Sequence, residues 1–255
     1  MQLSNNCFVV CCDCMKTKLH WIYGRHSVEA VLSNNTREVA RVVVGNENDV
    51  LVALACSRHI DAEIMDNSFF DSVFGKNAIH QKCAALVGEL PQLCVEDLLV
   101  DSSDMRPFVI LDQVTDPQNI GSILRASAVF DARAVVVQDK HSPELSATSL
   151  KASSGASEFV PLIRVVNLAN TIKLLQKNNF WSVGLDERGD KLLAALPSNT
   201  KYAIIIGSEG KGMRKLTKDY CDFLVKIPSN KNFSTLNAAQ AATVSLYEVF
   251  KLRGR

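Results

Sequence analysis

The stretch AIIIGSEGKGM at residues 203–213 decides how this chain is read. Four apolar residues run directly into three glycines that bracket Glu209 and Lys211. A short apolar run closed by turn residues is what a strand buried on both faces of a parallel sheet presents. In an open α/β sheet, ligands bind beyond the carboxyl ends of the strands, where glycines let the backbone approach and expose its N–H and C=O groups. The spacing of Gly207, Gly210 and Gly212 is GxxGxG. It matches neither the dinucleotide GxGxxG nor the phosphate-cradling GxxxxGK[ST]. The loop therefore suits a ligand read by backbone hydrogen bonds, an adenine for instance; a tight strand-to-helix turn with Glu209 capping the next helix reads the same way.

Outward from this strand, short apolar runs recur: FVILD at 108–112, AVVVQ at 134–138, FVPLI at 159–163, FWSVG at 180–184 and YAIII at 202–206. Helical patterns lie between and after them, chiefly at 120–130, 168–178 and 238–251. Together they predict a doubly wound α/β domain over residues 108–255. Residues 20–91 alternate on a smaller scale. RVVV at 41–44 and AEIM at 62–65 read as strands, and DVLVALA at 49–55 and SFFDSVF at 68–74 as helices. The opening YGRHSVEAVL at 23–32 puts Gly24 before a helix, with Arg25 and His26 near its start. Residues 92–107, with Asp97, Asp101, Asp104, Ser102 and Ser103, read as a linker. Residues 1–19 are expected to be a disordered extension, in which Met15 offers an alternative start.

The composition narrows the function classes. At 255 residues and 47% apolar, the chain can bury a full core. With 28 Lys+Arg against 27 Asp+Glu the net charge is +1, so any polyanion site has to be local. Eight cysteines in a chain of this length, four of them scattered singly, point to a reducing cytoplasm rather than a disulfide framework. The cluster Cys7, Cys11, Cys12 and Cys14 lacks a second Cys/His pair at finger-like spacing, so no metal site is expected. No apolar run approaches membrane-spanning length, and no membrane partner is expected.

Two further segments carry possible chemistry. In LDQVTDPQNIGSILRA, 111–126, a strand ends at Asp112, Asn119 stands at an N-cap position, and Gly121 and Arg125 share one flank of the helix. The glycine there leaves space for a group to approach the guanidinium; a capping Asn beside a solvated Arg is the plainer alternative. In LVKIPSNKNFSTLNAAQAA, 224–242, a strand closes at Pro228 and Thr235 or Asn237 starts a helix. Its inner face, Ala238, Ala241, Ala242 and Ser245, is small enough for close backbone approach, although routine capping by Asn237 on a tightly packed helix accounts for it equally.

In order and at these separations, the three segments resemble the signature motifs of the SpoU/TrmH branch of the SPOUT RNA methyltransferases, over residues 108–251. The amino-terminal module, with YGRH at 23–26 and HQK at 80–82, looks like the substrate-binding domain of the 23S rRNA guanosine-2′-O-methyltransferase subgroup. The resemblance implies a SPOUT domain with a parallel sheet, helices on both faces and a trefoil knot that binds S-adenosylmethionine, preceded by an L30e-like domain. It also implies a homodimer with active sites across the interface, acting on RNA, most specifically 23S rRNA. Carried over by position, Gly207, Ile227 and Leu236 give backbone contacts to the cofactor, Gly210 and Gly212 allow the tight path, and Thr235 keeps the hydroxyl of the family's usual serine. Asn119, Arg125, Glu209 and Asn237 stand at the catalytic and site-shaping positions, with Arg125 as an electrostatic clamp on the developing alkoxide. Lys211, Arg214, Lys215, Lys218, Lys226 and Lys231 cluster around the motifs and offer charge for RNA phosphates. The sequence TLNAAQ departs from the usual SLNVSV at Ala239 and Gln240 as well as at Thr235. The rival readings are a tRNA ribose methyltransferase, a catalytically silent RNA-binding homologue and, from the α/β alternation alone, a nucleotide-binding oxidoreductase.

Overall fold

A computed structural model describes residues 18–141, 147–230, 232 and 235–254. The cysteine cluster, Met15 and Lys231 lie outside the described residues. The amino-terminal part runs β1 (His20–Tyr23), α1 (Arg25–Ser33), β2 (Val39–Val44), α2 (Val50–Ser57), β3 (Ala62–Ile64), α3 (Asn67–Phe74) and β4 (Cys83–Val87). Asp49 and Asp66 set the two helix starts as N-caps, accepting from Leu51 N and Phe69 N; Asp49 opens its predicted run, whereas Asp66 lies two residues before the run predicted from Ser68. The sheet order is β1-β4-β2-β3, with β4 antiparallel to both neighbours. Strands β1 and β4 were not among the predicted runs.

The second part runs β5 (Phe108–Asp112), α4 (Pro117–Val129), β6 (Ala134–Gln138), α5 (Ala147–Ser153), β7 (Leu162–Val165), α6 (Leu168–Lys177), β8 (Phe180–Leu185), β9 (Lys191–Leu192), β10 (Lys201–Gly207), α7 (Lys215–Asp219), β11 (Phe223–Lys226) and α8 (Ala238–Leu252). Its seven strands lie in the order β7-β6-β5-β10-β8-β11-β9, all paired in parallel. Alternate residues feed two cores. Val109, Leu111, Ile204 and Ile206 pack with α4 and α8 on one face, whereas Phe108, Ile110, Ala203 and Ile205 pack with α6 on the other. Burial on both faces explains why these strands read as unbroken apolar runs.

Four expectations need correction. The run FVPLI enters the sheet only at Leu162: residues 156–158 form a 3-10 turn, Phe159 is exposed, and Pro161 has no N–H to give a ladder. Asn119 is not the N-cap of α4. Asp116 takes that place, accepting from Gln118 N at 3.0 Å, with Pro117 at the first helical position. On α8, Ala238, Ala242 and Ser245 are buried as predicted, but Ala241 is partly exposed and Ala239 is buried in its place. The segment read as a linker is strapped to the second part. Val95 is buried in the α6-side core, and the buried Arg133 donates to Leu98 O at 2.8 Å, Asp104 O at 2.9 Å and the Asp104 carboxylate at 2.8 Å.

The two parts also meet directly. Asn34 Nδ2 donates to Glu158 O and Glu158 Oε2 at 3.1 Å each, and Arg37 Nε lies 3.7 Å from Glu158 Oε2 with both side chains buried. Gly155 sits at φ +84°, where an added Cβ would lie 2.4 Å from Ala30 Cβ. Among the described residues no helix is long and apolar enough to cross a membrane, and no cluster of His, Cys, Asp or Glu has the makings of a metal site.

Candidate active site

The parallel register sets the site. Asp112, the last residue of β5, pairs with Gly207, the last residue of β10. Beyond Gly207 the chain folds back on itself, with Gly212 N donating to Ser208 O at 2.9 Å and Lys211 N to Glu209 O at 3.0 Å. Gly210 and Gly212 have φ +78° and +66°, the left-handed region that side chains avoid. At Gly207 the constraint is space rather than angle: a Cβ would lie 2.2 Å from the Gly212 carbonyl carbon. The glycine spacing is thus the record of a backbone folding back closely against itself.

Three distant segments meet at the loop's carboxylate. Glu209 Oε1 accepts from Asn119 Nδ2, on the first turn of α4, at 2.8 Å, and from Ala238 N, the first residue of α8, at 3.4 Å. Glu209 therefore caps neither end of the short α7 that follows it, as the plain turn reading required; it sits at the amino end of α8, where the helix dipole favours an anion. Asn237 caps α8 by accepting from Gln240 N at 2.7 Å, while Gln240 Oε1 accepts from Asn237 N at 3.2 Å. This reciprocal capping box gives Gln240 a structural task. The buried Ala238 and Ala239 are small enough to let the helix end come up to the carboxylate.

Thr235 and Leu236 are exposed in the segment just before α8, and Ile227, directly after β11, is half-buried against the α4/α8 core. Glu209 joins Asn119 to the start of α8 that Asn237 caps, and the glycine loop with Gly207, Gly210 and Gly212 carries Glu209 to that point. Arg125 is not. It lies nearly two turns further along α4, exposed, with Nη1 3.4 Å from Ser154 Oγ. The glycine on its flank makes no room for a ligand: a Cβ on Gly121 would lie 2.4 Å from Ser149 O and 2.6 Å from Ala152 Cβ, so Gly121 serves the packing of α5 on α4.

Sequence reasoning missed Asp112 as a site residue. It is fully buried and holds Arg214 twice, at 2.7 Å from Oδ1 to Nε and 2.9 Å from Oδ2 to the backbone N. The pair anchors the far end of the glycine loop to the end of β5. A carboxylate closing a buried strand, with an arginine just after the loop, was the available signal. Arg214 is consequently committed to a buried carboxylate rather than offered to phosphate. Lys218 likewise pairs with Asp186. Burial pushes the Asp186 carboxyl up, but bonds from Lys218 and Arg188 N outweigh it and the net shift is down. Lys211 and Lys215 are exposed and Lys226 is half-buried.

Comparison with known proteins agrees with this geometry. Residues 106–247 match the SpoU rRNA Methylase family, and residues 21–93 match the family described as RNA 2′-O ribose methyltransferase substrate binding. The chain is 36% identical over 239 residues to the 23S rRNA (guanosine-2′-O-)-methyltransferase RlmB of Escherichia coli (strain K12), covering 91% of this chain and 98% of that protein. It is 35% identical over 240 residues to the RlmB of Yersinia pestis, covering 91% and 97%. The crystal structure of the SpoU methyltransferase AviRb from Streptomyces viridochromogenes, in complex with AdoMet, superposes with a TM-score of 0.73 at 24% identity, covering 92% of this chain and 90% of that one. On the strength of the matched model and of relatives that align along most of its length, this chain belongs to the SpoU rRNA methylase family.

Proposed function

We propose that the protein methylates the 2′-hydroxyl of a ribose in RNA, a guanosine of 23S rRNA as in its RlmB relatives, with S-adenosylmethionine as donor. The observation that carries this reading is the junction at Glu209, where the three motif segments converge beyond the carboxyl ends of parallel strands. The residues fit the donor: Gly207 lets the loop close on its own backbone, and Gly210 and Gly212 have nothing within 4 Å of their Cβ positions, which leaves open space beside the loop. In this reading the backbones of Gly207, Ile227 and Leu236 and the Thr235 hydroxyl hold S-adenosylmethionine, and the chain follows the trefoil path the resemblance implies. Bound there, the donor supplies an electrophilic methyl on a sulfonium.

A ribose hydroxyl is a weak nucleophile, so the gain lies in alignment and in stabilising charge as the proton leaves. Asn119 spends its amide N–H on Glu209, which leaves its carbonyl oxygen to accept from and orient the incoming hydroxyl. Glu209 fixes the loop, and Asn237 fixes the start of α8. Arg125 carries a guanidinium that stays charged, and we assign it to the alkoxide and the adjacent phosphate. It lies apart from the Glu209 junction of its own chain. Arg125 then acts at the site of a second protomer in a homodimer, and the exposed Val129, Val244 and Tyr247 on α4 and α8 offer an apolar face for that contact. Residues 20–91 bind the RNA, residues 108–255 carry the transfer, and residues 92–107 join them. The protein works in the cytoplasm.

Incubation with labelled S-adenosylmethionine and unmodified 23S rRNA tests the reading, and primer extension maps the modified position. Arg125→Ala is expected to lower transfer by at least about 100-fold while donor affinity stays within a few-fold. Equal loss of both would contradict the assignment.

A further inference from the structure

One buried charge outside the Glu209 junction is tied only to the far end of the glycine loop. The loop leaves β10 at Gly207 and folds back until Ser208 and Gly212 pair as an isolated bridge. The next two residues are held on opposite flanks of β10, which lies between β5 and β8 in the sheet. Met213 is buried in the α6-side core against β8, where a Cβ added to Gly184 would lie 2.7 Å from Met213 Cε. Arg214 is held to β5, where Asp112 accepts from its Nε at 2.7 Å and from its backbone N at 2.9 Å. Side chains alternate along β5, so Asp112 shares the α6 face with Phe108 and Ile110. Glu209 is bound from the other face, by α4 and α8. The loop is thus fastened from both faces of the sheet.

Asp112 has no accessible surface, and among the described residues Arg214 supplies every hydrogen bond that its carboxylate receives. A buried carboxylate stripped of its donors is costly. Any movement of the loop that carries Arg214 away strands Asp112, so the folded-back form is favoured before a ligand arrives. The hold is also directional. The Nε and the backbone N of one residue converge on the two oxygens, which fixes both the place and the orientation of the chain at 214. A ligand that meets a loop already in its bound shape need not order it, whereas a competent form that is only fractionally populated weakens apparent affinity by that fraction.

We propose that Asp112 is a positioning residue for the methyl donor, acting through Arg214 to keep the glycine loop in its donor-binding shape before the donor arrives. The inference rests on the S-adenosylmethionine reading above and adds to it a residue that works from beneath the loop.

Asp112→Asn keeps one acceptor oxygen and turns an amide N–H toward the second Arg214 donor, so one of the two bonds is lost. Calorimetric titration with S-adenosylmethionine is expected to show about tenfold weaker binding, the effect of one hydrogen bond to a charged group. In methyl transfer to unmodified 23S rRNA, the KM for the donor is expected to rise about tenfold while kcat at saturating donor falls by less than about twofold, because saturation restores the loop. A merely structural role gives the opposite split, fewer active molecules with an unchanged KM. Should Asp112→Asn prove too unstable to titrate, two changes at its partner decide the matter. Glutamine matches arginine in length as far as Nε, so Arg214→Gln keeps a donor for Asp112 without the charge, whereas Arg214→Met has similar length and no donor. Arg214→Gln is expected to hold donor affinity within about threefold of the unsubstituted protein, and Arg214→Met to weaken it about tenfold. Asp104→Asn, just before the opposite end of β5, serves as a destabilised control and is expected to leave donor affinity within about twofold. Unchanged donor affinity in Asp112→Asn and Arg214→Met overturns the inference. Equal weakening by glutamine and methionine at 214 does so too, since it marks the arginine charge rather than its bond. If the unsubstituted protein binds no S-adenosylmethionine, the donor reading falls and the inference with it; donor binding without the expected pattern overturns the inference alone.

Discussion

Glu209 illustrates how much one carboxylate can organise when it is the shared acceptor of two helix starts. Its bonds to Asn119 Nδ2 and Ala238 N tie α4 and α8 to the glycine loop. A glutamine there still offers one acceptor oxygen, whereas an alanine offers none. Glu209→Gln is therefore expected to keep donor affinity within about threefold, and Glu209→Ala to weaken it by about 10- to 100-fold, the range of one to two hydrogen bonds to a charged group. Calorimetric titration with S-adenosylmethionine distinguishes the two. Asp112 acts beneath the same loop by holding the Arg214 side chain and backbone. Because Arg214 is partly open to solvent, removing the charge does not strand a wholly buried cation, and the cost falls below that of breaking a fully buried pair. Asp112→Asn is expected to lower stability by about 2 kcal/mol in urea unfolding, with the glycine loop released first. Of these residues the sequence announced Glu209, set apart by flanking glycines. Asp112 showed only as a carboxylate closing an apolar strand, since its partner 102 positions away is a property of the folded chain.

At the scale of elements, legibility followed burial. The runs that became β5, β6, β8 and β10 are apolar because both their faces are covered, so their pattern survives in the sequence without any knowledge of neighbours. The two-residue β9 and five-residue α7 have no such pattern and exist through tertiary contacts, β9 by pairing with β11. The acidic, serine-rich segment 92–107 misled in the other direction. Its polarity reads as linker, yet Asp104 and three backbone carbonyls serve as the acceptors of Arg133. Burial pushes the Asp104 carboxyl up, but bonds from Arg106 and Arg133 overcome it and leave it at about 2. A carboxyl depressed in the folded state stabilises above its unfolded value, near 3.8, and that stability is lost as pH falls through that value toward about 2. Asp104→Asn should remove this acid-dependent component and, by leaving the buried Arg133 without its carboxylate, cost on the order of 3 kcal/mol at neutral pH. Unfolding curves of the two proteins should converge as the pH approaches 2.

At the scale of the whole molecule, the contact between the two parts rests on a pair no local pattern could indicate, since Asn34 and Glu158 are 124 residues apart. Glu158 is held above the ordinary carboxylate value by burial, against the pull of Arg37, Asn34 and Arg58, and Arg37 is lowered by its own burial despite Glu158 and Glu89. The sign for Glu158 is the reverse of that for Asp104. Below the ordinary value of 4.5 both folded and unfolded forms are protonated; as pH rises past it, only the unfolded form ionises, and the docked state loses stability until the raised folded value is reached. His20, which faces Arg37 and is lowered by burial and by that arginine, titrates oppositely in the docked chain, disfavouring it as pH falls below 6.5. Glu158→Gln removes the first contribution and leaves the second, so the difference between the two stability curves isolates Glu158. Arg37→Met tests the pair from its other side. The carboxylate is then buried with its cation gone, its proton is held to still higher pH, and the two parts are expected to separate more readily at neutral pH than in acid. Small-angle scattering should show a larger radius of gyration for Arg37→Met at neutral pH, shrinking toward that of the unsubstituted protein as Glu158 becomes protonated. A radius independent of pH and equal in the two proteins would mean that Gly155 packing on Ala30, not the Arg37–Glu158 pair, holds the parts together.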